Sequence, residues 1–344
     1  MAPEPAGAMI ATAVPAAPDR IVIASRGSRL ARRQAAIVVD LVTAARPGIN
    51  VDVVTVTTAG DLDKSRPFAA IGGKGLFTTE VERAVVEERA DIAVHSAKDL
   101  TAELAEGCAI VGVPARAPVH DVVVGGSGAT GAERLESLDR GARLGTSSMR
   151  RRALLAVARP DISPVELRGN IDTRLRKVAD GDVDAAVLAA AGIGRLLGDG
   201  DAGGRDTGAP LDPRWWVPPP GQGALAIEAL SGRADLAALF GSLSDAGAWA
   251  ELVAERAFAA ELEGGCSVPL GCLARAAGAD VVVSGWLGFP DGSSEVRDRI
   301  SGPVNDAAAL GRELAVAVYD AGGREILEEL KTLTESEVPV ITAP

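Results

Sequence analysis

The chain has little thiol, imidazole or aromatic chemistry to draw on: three cysteines, two histidines and 3% aromatic residues in 344. Cysteines at 108, 266 and 272 do not make a disulfide framework, and an odd number points to a reducing compartment. With only His95 and His120 beside them, a four-ligand zinc site is not expected, and no metal is assigned. No apolar run reaches the length of a membrane span. Residues 1–18 carry several prolines and lack the basic start of a secretory leader, so they read as a disordered tail and the protein as cytoplasmic. Basic residues are outnumbered 35 to 47, and the net charge of −12 disfavours nucleic acid and acidic membranes as partners.

What remains is an ordinary globular composition, 47% apolar and 24% charged, long enough for two or three domains. With so few aromatics, the cores must be built from small aliphatic residues packed between layers. "RIVIASR" (20–26) reads as a buried strand and "SRLARRQAAIVVDLVTAA" (28–45) as a helix stopped by Pro47-Gly48. A strand at 50–58, a glycine- and charge-rich loop at 59–75 that reads as mobile, a helix at 76–90 and a strand at 91–97 follow. This alternation argues for a largely parallel α/β sheet.

The arrangement then repeats. "GARLGTSSMRRRALLAVA" (141–158) can be laid over residues 19–38, and "VDAAVLAAAGI" (183–193) over "ADIAVHSAKDL" (90–100). Two similar lobes facing one cleft are expected. Residues 198–213 read as a glycine-rich flexible insertion. From about residue 240 a third unit begins, with a helix at 248–262, a cysteine loop, a strand at 280–288 and a last helix around 305–330.

Both halves place hydroxyls and arginines at a strand-to-helix corner: Arg26, Ser28 and Arg29 in one, Thr146, Ser147, Ser148, Arg150 and Arg151 in the other. "LRGNIDTRLRK" (167–177) adds Arg168, Arg174 and Arg176. Unpaired N–H groups at a helix start, with planar guanidinium forks, suit carboxylates. Single arginines of this kind also occur on solvated helix faces, but the recurring set favours a polyanionic ligand. In "DIAVHSAKDL" a strand ends in Ser96, Lys98 and Asp99, where open parallel sheets bind ligands. Asp99 suits a helix cap or a carboxylate that steadies a developing cation, and His95 reads as a hydrogen-bonded core residue. "IGGKGLF" (71–77) lacks the Ser or Thr of a phosphate-binding loop. Cys108 and Cys272 read as core packing, whereas Cys266 follows Gly264 and Gly265 and suits either a structural thiol or an exposed nucleophile.

Taken together, "IASRGSRLARRQA", "GGKGLFTTEVERAV", "ADIAVHSAKDL", "GTSSMRRRALL", "LRGNIDTRL", "GQGALAIE" and "AERAFAAELEGGCSVPLG" resemble the hydroxymethylbilane synthase, or porphobilinogen deaminase, family in its own order. The resemblance implies two periplasmic-binding-protein-like α/β lobes around a cleft, plus a smaller third α/β domain carrying the cofactor cysteine. The expected bounds are 19–115 with 216–234, then 120–211, then 240–344. It implies a transferase of tetrapyrrole biosynthesis that joins four porphobilinogen molecules head to tail with loss of ammonia. These are added to a dipyrromethane attached to Cys266 by a thioether, and hydrolysis releases hydroxymethylbilane. Asp99 is the implied catalytic residue. Arg26, Ser28, Gln34, Lys74, Ser96, Lys98, Thr146, Ser147, Arg150, Arg151, Arg168, Gly169, Asn170, Arg174 and Arg195 are the implied carboxylate-binding set. A monomer is expected. Ala59, Ala70 and Thr101 depart from the family's usual residues without touching Asp99 or Cys266.

Overall fold

The computed structural model describes residues 18–58, 60, 75, 78–198, 206–262, 268–333 and 341–342. Cys266, Lys74 and most of the expected 59–75 loop lie outside them. The first segment holds β1 (Arg20–Arg26), α1 (Arg29–Ala45), β2 (Asn50–Val56), α2 (Thr79–Val86), β3 (Ile92–Ser96) and β4 (Cys108–Gly112). Next come β5 (Asp121–Gly125), α3 (Gly131–Glu136), β6 (Arg143–Gly145), α4 (Met149–Ala158), β7 (Ser163–Glu166), α5 (Ile171–Ala179), β8 (Ala185–Ala189), α6 (Ala190–Leu197) and β9 (Ala209–Pro210). The remainder is β10 (Leu225–Leu230), α7 (Ala234–Ser242), α8 (Ala246–Glu261), β11 (Leu270–Ala277), β12 (Asp280–Gly288), β13 (Glu295–Pro303), α9 (Ala307–Val318), α10 (Arg324–Thr332) and β14 (Ile341–Thr342).

Three sheets result. The first has the order β2-β1-β3-β10-β4 and the second β14-β7-β6-β8-β5-β9. In the first, β1 is parallel to β2 and β3, and β10 returns antiparallel to β3. In the second, β6 is parallel to β7 and β8, and β5 returns antiparallel to β8. The two lobes therefore share a strand pattern, and the segments overlaid in the sequence, β1-α1 on β6-α4 and β3 on β8, occupy matching places. The chain crosses between lobes twice, through 113–120 and 211–224. A third, antiparallel sheet, β11-β12-β13, packs on α8 and α9.

Each lobe is held by aliphatic side chains, as the scarcity of aromatics requires. Ala31, Ala35, Val38 and Val42 recur on one face of α1, and this face covers Ile21, Ile23 and Ile92 of the sheet. Leu144, Leu154, Leu155 and Val187 do the same in the second lobe, and Val281, Val283 and Leu314, packed with the aromatic Phe258, in the third unit.

Several expected boundaries shift. Trp216 and Val217 pack into the second lobe's core, whereas Leu236, Leu239 and Phe240 of α7 extend the first lobe past residue 234. Residues 206–213 are an ordered edge, because β9 pairs with β5 and Arg134 donates to both carboxylate oxygens of Asp206. The expected last helix is two, α9 and α10, divided where Gly322 adopts φ 116°. Finally, β14 joins β7 of the second lobe rather than the third sheet.

Candidate active site

Both basic corners are built by helix starts. Ser28 caps α1, its Oγ accepting from Ala31 N at 3.1 Å, and Ser148 caps α4 in the same way through Arg151 N. Asn170 caps α5 through Thr173 N at 3.0 Å. Gly169 ahead of it has φ 106°, a left-handed conformation, and a Cβ there would lie 2.8 Å from the Thr173 side chain. Its carbonyl accepts from Arg174 Nε at 2.8 Å, which holds that guanidinium at the helix start.

Asp99 ends the short turn Ala97–Asp99 that follows β3. Together with Arg26, Ser28, Gln34, Thr78, His95 and Ser96 it rings one pocket. Gln34 is buried and its Nε2 donates to Ser96 Oγ at 2.7 Å. Lys98 donates from Nζ to Gln222 Oε1 at 3.1 Å. Loss of water pushes the Lys98 ammonium down to about 8; Asp99 opposes that shift and Arg151 adds to it. Desolvation also holds Arg174, from the opposite lobe, down at about 10; Arg151 adds to the shift, and Glu166 and Asp99 pull the other way. Asp99 thus sits within electrostatic reach of cations from both lobes.

Behind this rim lies a cluster the sequence reading did not foresee. Asp121, wholly buried at the start of β5, accepts from Arg150 Nη2 and Arg151 Nη2, each at 2.7 Å. It also accepts from Trp216 Nε1 at 3.0 Å and Gln222 Nε2 at 2.9 Å. Arg150 donates a further bond to Val217 O and Arg151 one to Val187 O. The expected carboxylate forks are therefore largely engaged inside the protein, and the pair of arginines against one aspartate leaves net positive charge beneath the cleft. Burial works to raise the Asp121 carboxyl, but Arg151 and Arg150 outweigh it and hold it far below the usual carboxylate range.

The other expected residues spread around this centre. Thr146 is buried, its hydroxyl accepting from Ser148 N, and Ser147 Oγ donates to Leu167 O at 2.8 Å. Arg168 pairs with Glu166 at 3.2 Å. Arg195 donates to Gly223 O at 2.6 Å, and loss of water holds it down at about 10. His95 is buried with Nε2 3.0 Å from Glu228 Oε2. Cys108 is half-buried and desolvation pushes its thiol up to about 12, while buried Cys272 is raised well above the ordinary range. Neither has the character of a nucleophile.

The family described as "Porphobilinogen deaminase, dipyromethane cofactor binding domain" matches residues 21–238, and "Porphobilinogen deaminase, C-terminal domain" matches 249–320. The chain belongs to the porphobilinogen deaminase family. It is 43% identical over 310 residues to the porphobilinogen deaminase of Roseiflexus castenholzii, covering 90% of this chain and 99% of that one. With the porphobilinogen deaminase of Chromobacterium violaceum it shares 42% over 310 residues, covering 90% and 97%. Among solved structures, the methionine binding protein MetQ matches 65% of this chain and 89% of its own, at 12% identity and a TM-score of 0.40. The first family match spans both lobes and every described residue of the expected carboxylate-binding set. Cys266 falls within the second.

Proposed function

We propose that this chain condenses porphobilinogen head to tail into the linear tetrapyrrole hydroxymethylbilane, using a dipyrromethane joined to Cys266 through a thioether. The observation that carries the reading is Asp99 set among cations from both lobes, Lys98 beside it and Arg174 opposite. A pyrrole bearing two carboxylate arms needs cations at its rim and one anion at its ring nitrogen, and this arrangement supplies both.

The residues present suit the cofactor. Arg150 Nε is buried with no acceptor among the described residues, and desolvation weighs on the Arg174 and Arg195 guanidiniums. Carboxylates arriving there relieve both costs. When bound, the dipyrromethane supplies the ring carbon to which the first substrate unit is joined. Arg26, Lys98, Arg168, Arg174 and Arg195 hold carboxylates, while Ser28, Thr146, Ser147, Gly169 and Asn170 shape the helix starts that aim them. Gln34 and Ser96 brace the wall beside Asp99. As ammonia leaves the substrate, positive charge develops on its ring, and Asp99 stabilises that charge by accepting from the pyrrole N–H. The same carboxylate moves the proton lost from the ring carbon that takes up the new bond. Cys266 lies outside the described residues, between Leu262 after α8 and Val268 ahead of β11; the raised thiols of Cys108 and Cys272 support taking it, rather than either of them, as the anchor.

No helix among the described residues is long and apolar enough to cross a membrane, and the reading takes the protein as a cytoplasmic monomer. Intact-mass measurement of the native chain tests the proposal. The expected mass is that of the polypeptide plus a dipyrromethane, with added pyrrole units after porphobilinogen is supplied. A bare polypeptide mass that stays unchanged with porphobilinogen refutes it.

A further inference from the structure

Arg29, Arg32 and Arg33 are exposed and stand at i, i+3 and i+4 on one face of α1, where like charges repel. The first turn of this helix contains no acidic residue. Arg29 reaches across to Asp172 on α5 of the other lobe at 2.8 Å, but among the described residues no acidic side chain pairs with Arg32 or Arg33. Three cations gathered on one helix face run against the chain's overall charge of −12, and only Arg29 of the three has an acidic partner among the described residues, a local rule broken in the way a binding face breaks it. With Ala36, and with Leu196 of α6, they line an open depression of about 400 Å³. The pocket at Asp99 is only about 50 Å³. Arg29, which lines the outer depression, follows Ser28, which lines the inner pocket.

We propose that this arginine face is an outer carboxylate subsite that holds the far rings of the lengthening oligopyrrole. The inference rests on the function proposed above. Each condensation adds a ring with two carboxylates, while the inner Arg150 and Arg151 forks are largely taken by Asp121 and backbone carbonyls. The growing charge has to be met outside the inner pocket, and α1 presents two guanidiniums unpaired among the described residues, Arg32 and Arg33, on the helix whose Arg29 bridges to the other lobe.

The test is native mass spectrometry of the full, cofactor-loaded chain during turnover of limiting porphobilinogen, comparing the unmodified protein with Arg32→Gln/Arg33→Gln. The variant is expected to carry its cofactor and take up the first units normally. It should then accumulate an intermediate at one later stage, with turnover reduced about 5-fold at low salt, as two lost exposed ion pairs imply, and little reduced at high salt. Arg32→Lys/Arg33→Lys should restore the late stages. Released hydroxymethylbilane, added to both proteins, separates bound chain from free product: inhibition weakened equally in the variant assigns the face to both. An unchanged distribution of intermediates, or equal slowing at every stage, overturns the subsite. Absence of any pyrrole addition in the unmodified chain overturns the underlying function as well.

Discussion

Arg116 and Glu255 meet as a two-pronged pair, Nη1 to Oε1 at 2.9 Å and Nη2 to Oε2 at 2.8 Å, with Glu255 wholly buried. Arg116 lies on the first crossing between lobes and Glu255 on α8 of the third unit. The same carboxylate accepts from Gly221 N on the return crossing at 2.6 Å and from Ala274 N on β11 at 2.8 Å. One side chain thus fixes the third unit to both crossings. Removing its cation leaves a buried, uncompensated charge, so Arg116→Gln is expected to destabilise the chain by about 3–5 kcal/mol. Urea unfolding measures this, and a loss below about 1 kcal/mol, the worth of an exposed pair, would show the junction is held by other contacts.

Asp121 makes a parallel case with a pH signature. Its folded carboxyl is depressed, so its stabilisation is complete above the unfolded value of about 3.9 and is lost as pH falls from there towards the lower folded value. Asp121→Asn, which leaves two buried guanidiniums facing a neutral amide, should cost about 3–5 kcal/mol at neutral pH. The gap between the two proteins should stay constant down to about pH 5 and narrow below about pH 4. A gap that narrows at higher pH would point to a different titrating group.

These two clusters also mark where the sequence stops being readable. Strand and helix periodicity located β1, α1, β3, β6 and α4, and the corner residues Ser28, Ser148 and Asn170 cap helices where their types predict. Those signals are local, carried by neighbours a few positions apart. Asp121 is 29 residues from Arg150 and 101 from Gln222, and Arg116 is 139 from Glu255. No periodicity connects such partners; they become neighbours only once the chain has crossed between lobes twice. Nothing local in "PVHDVVV" or "AERAFAAEL" marks Asp121 or Glu255 as the partner of a distant cation. For the same reason Arg150 and Arg151 looked available to a ligand when they are mostly occupied.

Lys98 supplies a functional pH dependence. Its ammonium, held at about 8, is mostly protonated at neutral pH and loses its charge as pH rises through that value. A group that binds carboxylates only while charged should give kcat/KM for porphobilinogen an alkaline limb near 8, since this parameter reports the free enzyme. Lys98→Arg should move that limb upward even where it lowers activity, because a guanidinium keeps its proton in this range. A limb left in place assigns it to another residue.

Thiol reactivity separates the three cysteines. Cys108 is pushed up to about 12 and Cys272 higher than ordinary thiols, so neither forms appreciable thiolate at neutral pH. In Cys266→Ser, which lacks the anchor, the native chain should resist iodoacetamide for hours while the unfolded chain takes up two labels. Rapid native labelling would identify a second reactive thiol and weaken the case for a single anchor.

Asp99→Asn bears most directly on the chemistry. The amide keeps the size of the carboxylate and its place at the end of the Ala97–Asp99 turn, so the fold and the covalent cofactor are expected to survive. What it loses is the negative charge set among Lys98 and Arg174. A neutral amide oxygen stabilises a developing cation far less, and kcat should fall by about 100-fold or more, the usual effect of removing one preorganised electrostatic partner. Because ground-state carboxylate binding belongs to the cations, KM should change little by comparison. A variant with its cofactor attached and a near-normal kcat would remove Asp99 from the reaction, and the surrounding positive charge would then need another counter-anion to make cation formation feasible.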